Sequence, residues 1–144
     1  MNRIININNP TKLRNRNMRT LAEILRRLGS KQEVDDESRD MAAAIVFLLR
    51  DIYQGVDKSA KAWEKRGYWM KADRFLREWE WTAISAADIE DVIRNEAWDL
   101  LPLPLAELLP RTSSVEIKKM TRSDSEWNGA YQRLLTEPPG ELPW

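Results

Sequence analysis

The stretch Met41–Val56, MAAAIVFLLRDIYQGV, decides how the rest of this chain is read. Met41, Ile45, Leu48, Leu49, Ile52, Tyr53 and Val56 recur at helical spacing and form one apolar stripe. Ala42 to Ala44 add a small-residue surface on which a second helix can approach closely. Asp35, Asp36 and Glu37 come just before, where a helix N-terminus favours negative charge. The pattern predicts a helix from about residue 38 to about Gly55, continuing with a kink to Arg66. Gly67 ends or bends it.

The flanking sequence supplies the partners this stripe needs. Upstream, Leu21, Ile24, Leu25 and Leu28 fall at i, i+3, i+4 and i+7, which predicts a short helix over about 19–28 stopped by Gly29. Downstream, Tyr68, Ala72, Phe75, Leu76 and Trp79 mark the inward face of a third helix, about 68–82, with Trp69 off that stripe. Ser85-Ala-Ala-Asp88 reads as a capping box, and predicts a fourth helix over 86–101 with Ile89, Val92, Ile93, Ala97, Leu100 and Leu101 inward. Pro102, Pro104 and Pro110 limit Leu105–Leu109 to a short helical turn. Ser113-Ser-Val-Glu116 and Ser123-Asp-Ser-Glu126 are further capping signatures. The second opens a helix of about 125–136, with Trp127, Tyr131, Leu134 and Leu135 facing in, that Pro138-Pro139-Gly140 ends. The expected fold is all-α: a compact bundle of about five helices with no sheet. A flexible, basic, Asn-rich arm (1–17) leads into a single helical domain (18–137), followed by a Pro-rich C-terminal tail (138–144).

At 144 residues the chain suits one domain. It contains neither Cys nor His, which removes disulfides, thiolate nucleophiles, imidazole acid–base catalysis and Cys or His metal ligation. None of the glycine-rich phosphate or dinucleotide signatures is present, and no nucleophile elbow. The longest uncharged apolar run, Met41–Leu49, is far short of the roughly 20 residues a membrane span needs. The first residues lack the apolar core of a secretory signal. The expectation is a cytoplasmic, non-enzymatic protein with no cofactor, no metal, no membrane partner and no small-molecule substrate.

Lys plus Arg equals Asp plus Glu at 23 each, but the zero conceals a pattern. Successive blocks carry +7 (1–31), −5 (32–57), +5 (58–77) and −7 (78–109), with the remainder neutral. Alternation of this kind serves helix macrodipoles and pairing between neighbouring helices. It also allows a basic pole to meet an acidic partner.

Three constellations stand out. In the first, bases and aromatics interleave over 58–77, as surfaces for phosphates and bases do. Lys58, Lys61, Lys65 and Trp69 share one face if the helix passes through Gly67, and Arg66 is three residues from Trp69. Arg14 and Arg16 of the arm would add phosphate contacts. Against this stands a pI of 6.4, low for a dedicated nucleic-acid binder. In the second, Trp69, Trp81 and Trp144 lie off the apolar stripes and are candidates for contact with a protein partner, since Trp is enriched in binding hot spots. In the third, carboxylates repeat at helical spacing: Asp36, Glu37 and Asp40, then Asp88/Asp91 and Glu96/Asp99. Oxygen ligands from facing helices can hold Mg²⁺. Glu96-Ala-Trp-Asp99 matches one of the two motifs that all-helical nucleotide pyrophosphohydrolases pair for this purpose, and Glu37-Ser-Arg-Asp40 only approximates the other. The reading preferred from sequence is a helical interaction or adaptor subunit that self-associates or joins a larger assembly. The alternatives are a nucleic-acid-binding accessory subunit and a Mg²⁺-dependent nucleotide hydrolase.

Overall fold

In a computed structural model that describes residues 9–144, the chain folds into five α-helices and two single 3-10 turns, with no strand among the described residues. The helices are α1 (Pro10–Gly29), α2 (Asp36–Lys65), α3 (Trp69–Arg94), α4 (Pro102–Thr112) and α5 (Ala130–Thr136). The all-α expectation therefore holds. The long central helix also holds: α2 is unbroken through Gly55, and its stripe residues Met41, Ile45, Leu49, Ile52, Tyr53 and Val56 are buried, with Leu48 half-buried. The Asp35 side chain opens it by accepting from the Ser38 N–H at 2.8 Å.

α2 is the axis on which α1 and α3 pack. Small residues set the α2–α3 approach: Ala60 on α2 and Ala72, Ala83 and Ala86 on α3 are all buried. α1 contributes Leu21, Ile24, Leu25 and Leu28 to the same core, as its spacing requires. α4 adds Leu108 and α5 adds Leu134, with Trp127 just ahead of it.

Several boundaries differ from expectation, each for a local reason. α1 begins at Pro10, so residues 10–17 of the expected flexible arm are helical. Asn9 caps this start, accepting from the Lys12 N–H at 3.1 Å, and Pro occupies the first turn, where its missing N–H costs nothing. Residues 1–8 of the arm lie outside the described structure. The third and fourth expected helices are one. Ser85, the expected cap, is buried in the middle of α3, and nothing between Trp81 and Ser85 breaks the backbone ladder. α3 then stops at Arg94 instead of running to 101. The Ala97 N–H bonds the Val92 carbonyl and the Glu96 N–H bonds the Ile93 carbonyl, a Schellman closure with Glu96 left-handed at φ 52°. Leu100, expected inward, is exposed. α4 spans more than the short turn expected. Pro102 sits in its first turn, where it fits, and Pro110 lies in its last. Ser123 caps nothing: its hydroxyl pairs with that of Ser125, one 3-10 turn follows, and α5 starts only at Ala130.

Two buried carboxylates tie the irregular C-terminal part to the helices. Glu23 on α1, with no exposed side-chain surface, accepts from the Thr121 N–H (2.7 Å), the Arg122 N–H (2.8 Å), the Thr121 hydroxyl (2.9 Å) and Arg19 Nε (2.6 Å). Arg19 also donates to the Lys119 carbonyl, which laces 116–122 along α1. Glu90 on α3 takes Arg50 and Arg94, each at 2.6 Å, and the Gly140 N–H at 3.1 Å. The segment after α5 thus folds back over α2 and α3, where Trp144 meets Tyr53 edge-on at 5.8 Å.

Candidate functional site

The residues singled out in 58–77 lie on either side of the turn between α2 and α3. Gly67 makes that turn. The Gly67 N–H bonds the Glu64 carbonyl, the Tyr68 N–H bonds the Trp63 carbonyl, and Gly67 has φ +83°, a conformation that side-chain-bearing residues adopt at a cost. The helix is therefore not continuous through Gly67, and Trp69 does not share a helical face with Lys58, Lys61 and Lys65. Tyr68, expected on the inward stripe, caps the start of α3 with 53% of its surface exposed. Phe75, Leu76 and Trp79 are only half-buried, and Ala72 alone of that stripe is fully buried.

What the turn builds instead is a two-layer tip. The inner layer is Trp63 against Phe75, ring centroids 4.9 Å apart, with Lys71 Nζ 4.4 Å above the Trp63 ring. The outer layer is Tyr68, Trp69 and Met70, the last two 63% and 78% exposed. Lys65, Arg66, Lys71 and Arg74 surround it, all exposed, and none forms an ion pair among the described residues. The nearby acids are fewer: Asp73 is held by Arg77 at 2.9 Å, and Glu64 is half-buried.

The other nucleic-acid candidates do not join the exposed face of this tip. Lys61 pairs with Asp57 at 2.8 Å, and this bond first, with the Asp57 charge, raises its pKa. Lys58 is exposed and lines a cleft between the start of α1 and α2. Arg14 turns inward, its guanidinium 5.2 Å from the Phe75 ring centre and 5.3 Å from that of Trp79. Burial lowers the Arg14 pKa, opposed by the charge of Glu78. Arg16 faces Glu126 at 3.6 Å. The seven residues proposed from sequence thus do not form one surface. Lys65, Arg66 and Trp69 come together, and Lys71, Arg74, Tyr68 and Met70 join them.

Of the partner-contact candidates, Trp81 is half-buried, stacked on Trp79 at 5.8 Å with Arg111 over its ring. Trp144 is 61% exposed beside Tyr53. Trp69 alone sits at a projecting turn. A second apolar area lies on α4, where Leu103 and Leu109 are exposed.

The carboxylate constellation is largely engaged in holding the fold. Glu37 accepts Lys31 at 2.9 Å and the Trp127 indole N–H at 3.4 Å. Asp40 accepts the Gly129 and Tyr131 N–H groups at 3.2 and 3.0 Å, which fixes the first turn of α5. Asp36 and Asp40 line an open cleft with Glu96, Trp98 and Tyr131, but no three acidic side chains among the described residues are placed to hold a metal ion. Burial, then the charges of Glu107 and Asp91, raises the pKa of Asp88. Among the described residues no helix is long and apolar enough to cross a membrane.

The chain matches no family model, no curated protein and no solved structure. Its own geometry therefore carries the functional reading.

Proposed function

We propose that this protein is a non-enzymatic helical docking module that presents the α2–α3 turn to an anionic partner. The observation that carries the reading is the tip itself: Tyr68, Trp69 and Met70 exposed in succession and flanked by Lys65, Arg66, Lys71 and Arg74, which form no ion pair among the described residues. A folded chain keeps large apolar side chains in water at a cost of roughly 25 cal/mol per Å² of surface that burial would remove. Bases left unpaired around such a patch favour an acidic counter-surface and exclude basic ones. The non-enzymatic part of the reading draws support from the use of the buried acids. Glu23 and Glu90 have their oxygens filled by guanidinium and backbone donors, so neither is poised to exchange a proton with a substrate.

The test is retention on a heparin column with elution by salt. The chain has no net charge, so retention requires a localised basic surface. Lys65→Glu/Arg66→Glu is expected to elute at clearly lower salt than the parent. Lys118→Glu/Lys119→Glu, which alters an equally exposed basic pair remote from the tip, is expected to change elution much less. Passage of the parent protein without retention, or equal shifts for the two variants, refutes the assignment.

A further inference from the structure

Resting on that docking reading, we infer that the anionic partner is the surface of a phospholipid bilayer, into which the α2–α3 tip inserts Trp69 and Met70. This revises the expectation, drawn from the sequence, of no membrane partner.

The argument begins with shape. Tyr68, Trp69 and Met70 occupy the turn between two antiparallel helices, and all three are exposed although successive helical positions point in different directions. The apolar surface therefore wraps around an apex and does not line a groove. Proteins that hold single-stranded nucleic acid place stacking rings along a basic channel that follows the strand. Nothing of that kind is formed among the described residues, because Arg14 is half-buried behind the tip against Phe75, Arg16 turns to Glu126 and Lys61 to Asp57. An apex needs a partner that deforms around it, and a bilayer interface does so.

The side-chain chemistry points the same way. Trp and Tyr are enriched at membrane–water interfaces, where an apolar ring body and a polar edge are both accommodated. Met70, the most exposed large apolar side chain among the described residues, offers a base no flat face to stack on, whereas acyl chains take it readily. Lys65, Arg66, Lys71 and Arg74 stand where anionic headgroups would meet a tip inserted to the depth of Trp69. Long basic side chains bury their stems and keep their charge among the headgroups. Trp63 and Phe75 behind the apex tie the two helix ends together, so the tip enters as a preformed body and orders no chain on binding.

The experiment is co-sedimentation of the full chain with two sets of vesicles, phosphatidylcholine alone and phosphatidylcholine with an equal part of phosphatidylglycerol. The parent protein is expected to sediment with the second and not the first. Lys65→Ala/Arg66→Ala should weaken partition about 20–30-fold, from about fivefold per basic residue at an anionic surface. Trp69→Ala/Met70→Ala should weaken it at least about tenfold, because both side chains lose their apolar contact. These positions are exposed, so both variants are expected to melt like the parent. Failure of the parent to sediment with anionic vesicles overturns the proposal. So does partition that follows charge but ignores Trp69 and Met70. Binding of an oligothymidylate through the same residues without vesicle binding also overturns the bilayer assignment, while a tip-dependent heparin result would leave the docking reading standing.

Discussion

Replacing Glu23 with Gln changes almost nothing in shape, yet it should be among the most destabilising single substitutions in α1. The carboxylate has no exposed side-chain surface and accepts four hydrogen bonds of 2.6–2.9 Å. An amide keeps one oxygen for the Thr121 and Arg122 N–H groups, but turns an NH₂ towards Arg19 Nε–H. Losing a hydrogen bond to a charged group and leaving a donor facing a donor costs roughly 1.5–3 kcal/mol. The titration of the same group points to a similar size. Burial works against the charged carboxylate, but the Arg122 N–H, the Arg19 guanidinium and both Thr121 donors outweigh it and bring the pKa from 4.5 down to about 2. Discounted for solvent at the edge of the site, a depression of that size corresponds to roughly 2–3 kcal/mol. For a chain of this length that is a fall in Tm of about 8–12 °C near neutral pH. The folded pKa lies below the unfolded one, so this stabilisation is complete above about pH 4.5 and is lost as pH falls towards 2. Melting followed by circular dichroism should therefore show a large gap between parent and Glu23→Gln near pH 7 that narrows at about pH 3. A variant that melts within a degree or two of the parent near pH 7, or a gap that widens in acid, would refute the reasoning.

Two further substitutions probe the backbone. Glu96 holds a left-handed conformation at the C-terminus of α3, so Glu96→Gly is expected to stabilise the protein by ~0.5–1 kcal/mol, read as a rise in denaturant midpoint with an unchanged m-value. At Gly140 an added Cβ would lie 2.5 Å from Arg50 Nη2 and 2.9 Å from Glu90 Oε1. Both atoms belong to a packed ion pair, so Gly140→Ala should cost about 1–3 kcal/mol and free the following segment, seen as faster amide exchange at residues 140–144.

The elements that could be read from the sequence were those whose neighbours in space are also neighbours on one helix face. Met41, Ile45, Leu49 and Ile52 announce α2 because the stripe and the burial are the same pattern. The α3 boundaries were hidden for the opposite reason. A local cap preference at Ser85 is weaker than an uninterrupted ladder packed on α2, and the true stop carries Glu where sequence rules look for Gly. The start of α1 was legible in principle, since Asn9-Pro10 is a helix-opening pair, but the Asn-rich context masked it. At the tip, Trp69 could be recognised as off the stripe. Tyr68 could not, because its i, i+4 relation to Ala72 has meaning only inside one helix and Gly67 places Tyr68 at the end. The partners of Arg14 and Arg16 are not legible in the sequence because Phe75, Trp79 and Glu126 are far from them in the chain.

The clasp on Glu23 also sets an order of assembly. The α2–α3 hairpin closes across a three-residue turn and is complete once Arg94 has been made. Apart from Arg19 on its own helix, Glu23 finds its donors only across about 98 residues, a loop whose closure costs roughly 4 kcal/mol in chain entropy apart from a constant. During synthesis the hairpin and its exposed tip can therefore take shape while the Glu23 carboxylate has only Arg19 for a partner. The surface we assign to docking therefore lies on a hairpin whose residues are all in place before the Glu23 clasp can close.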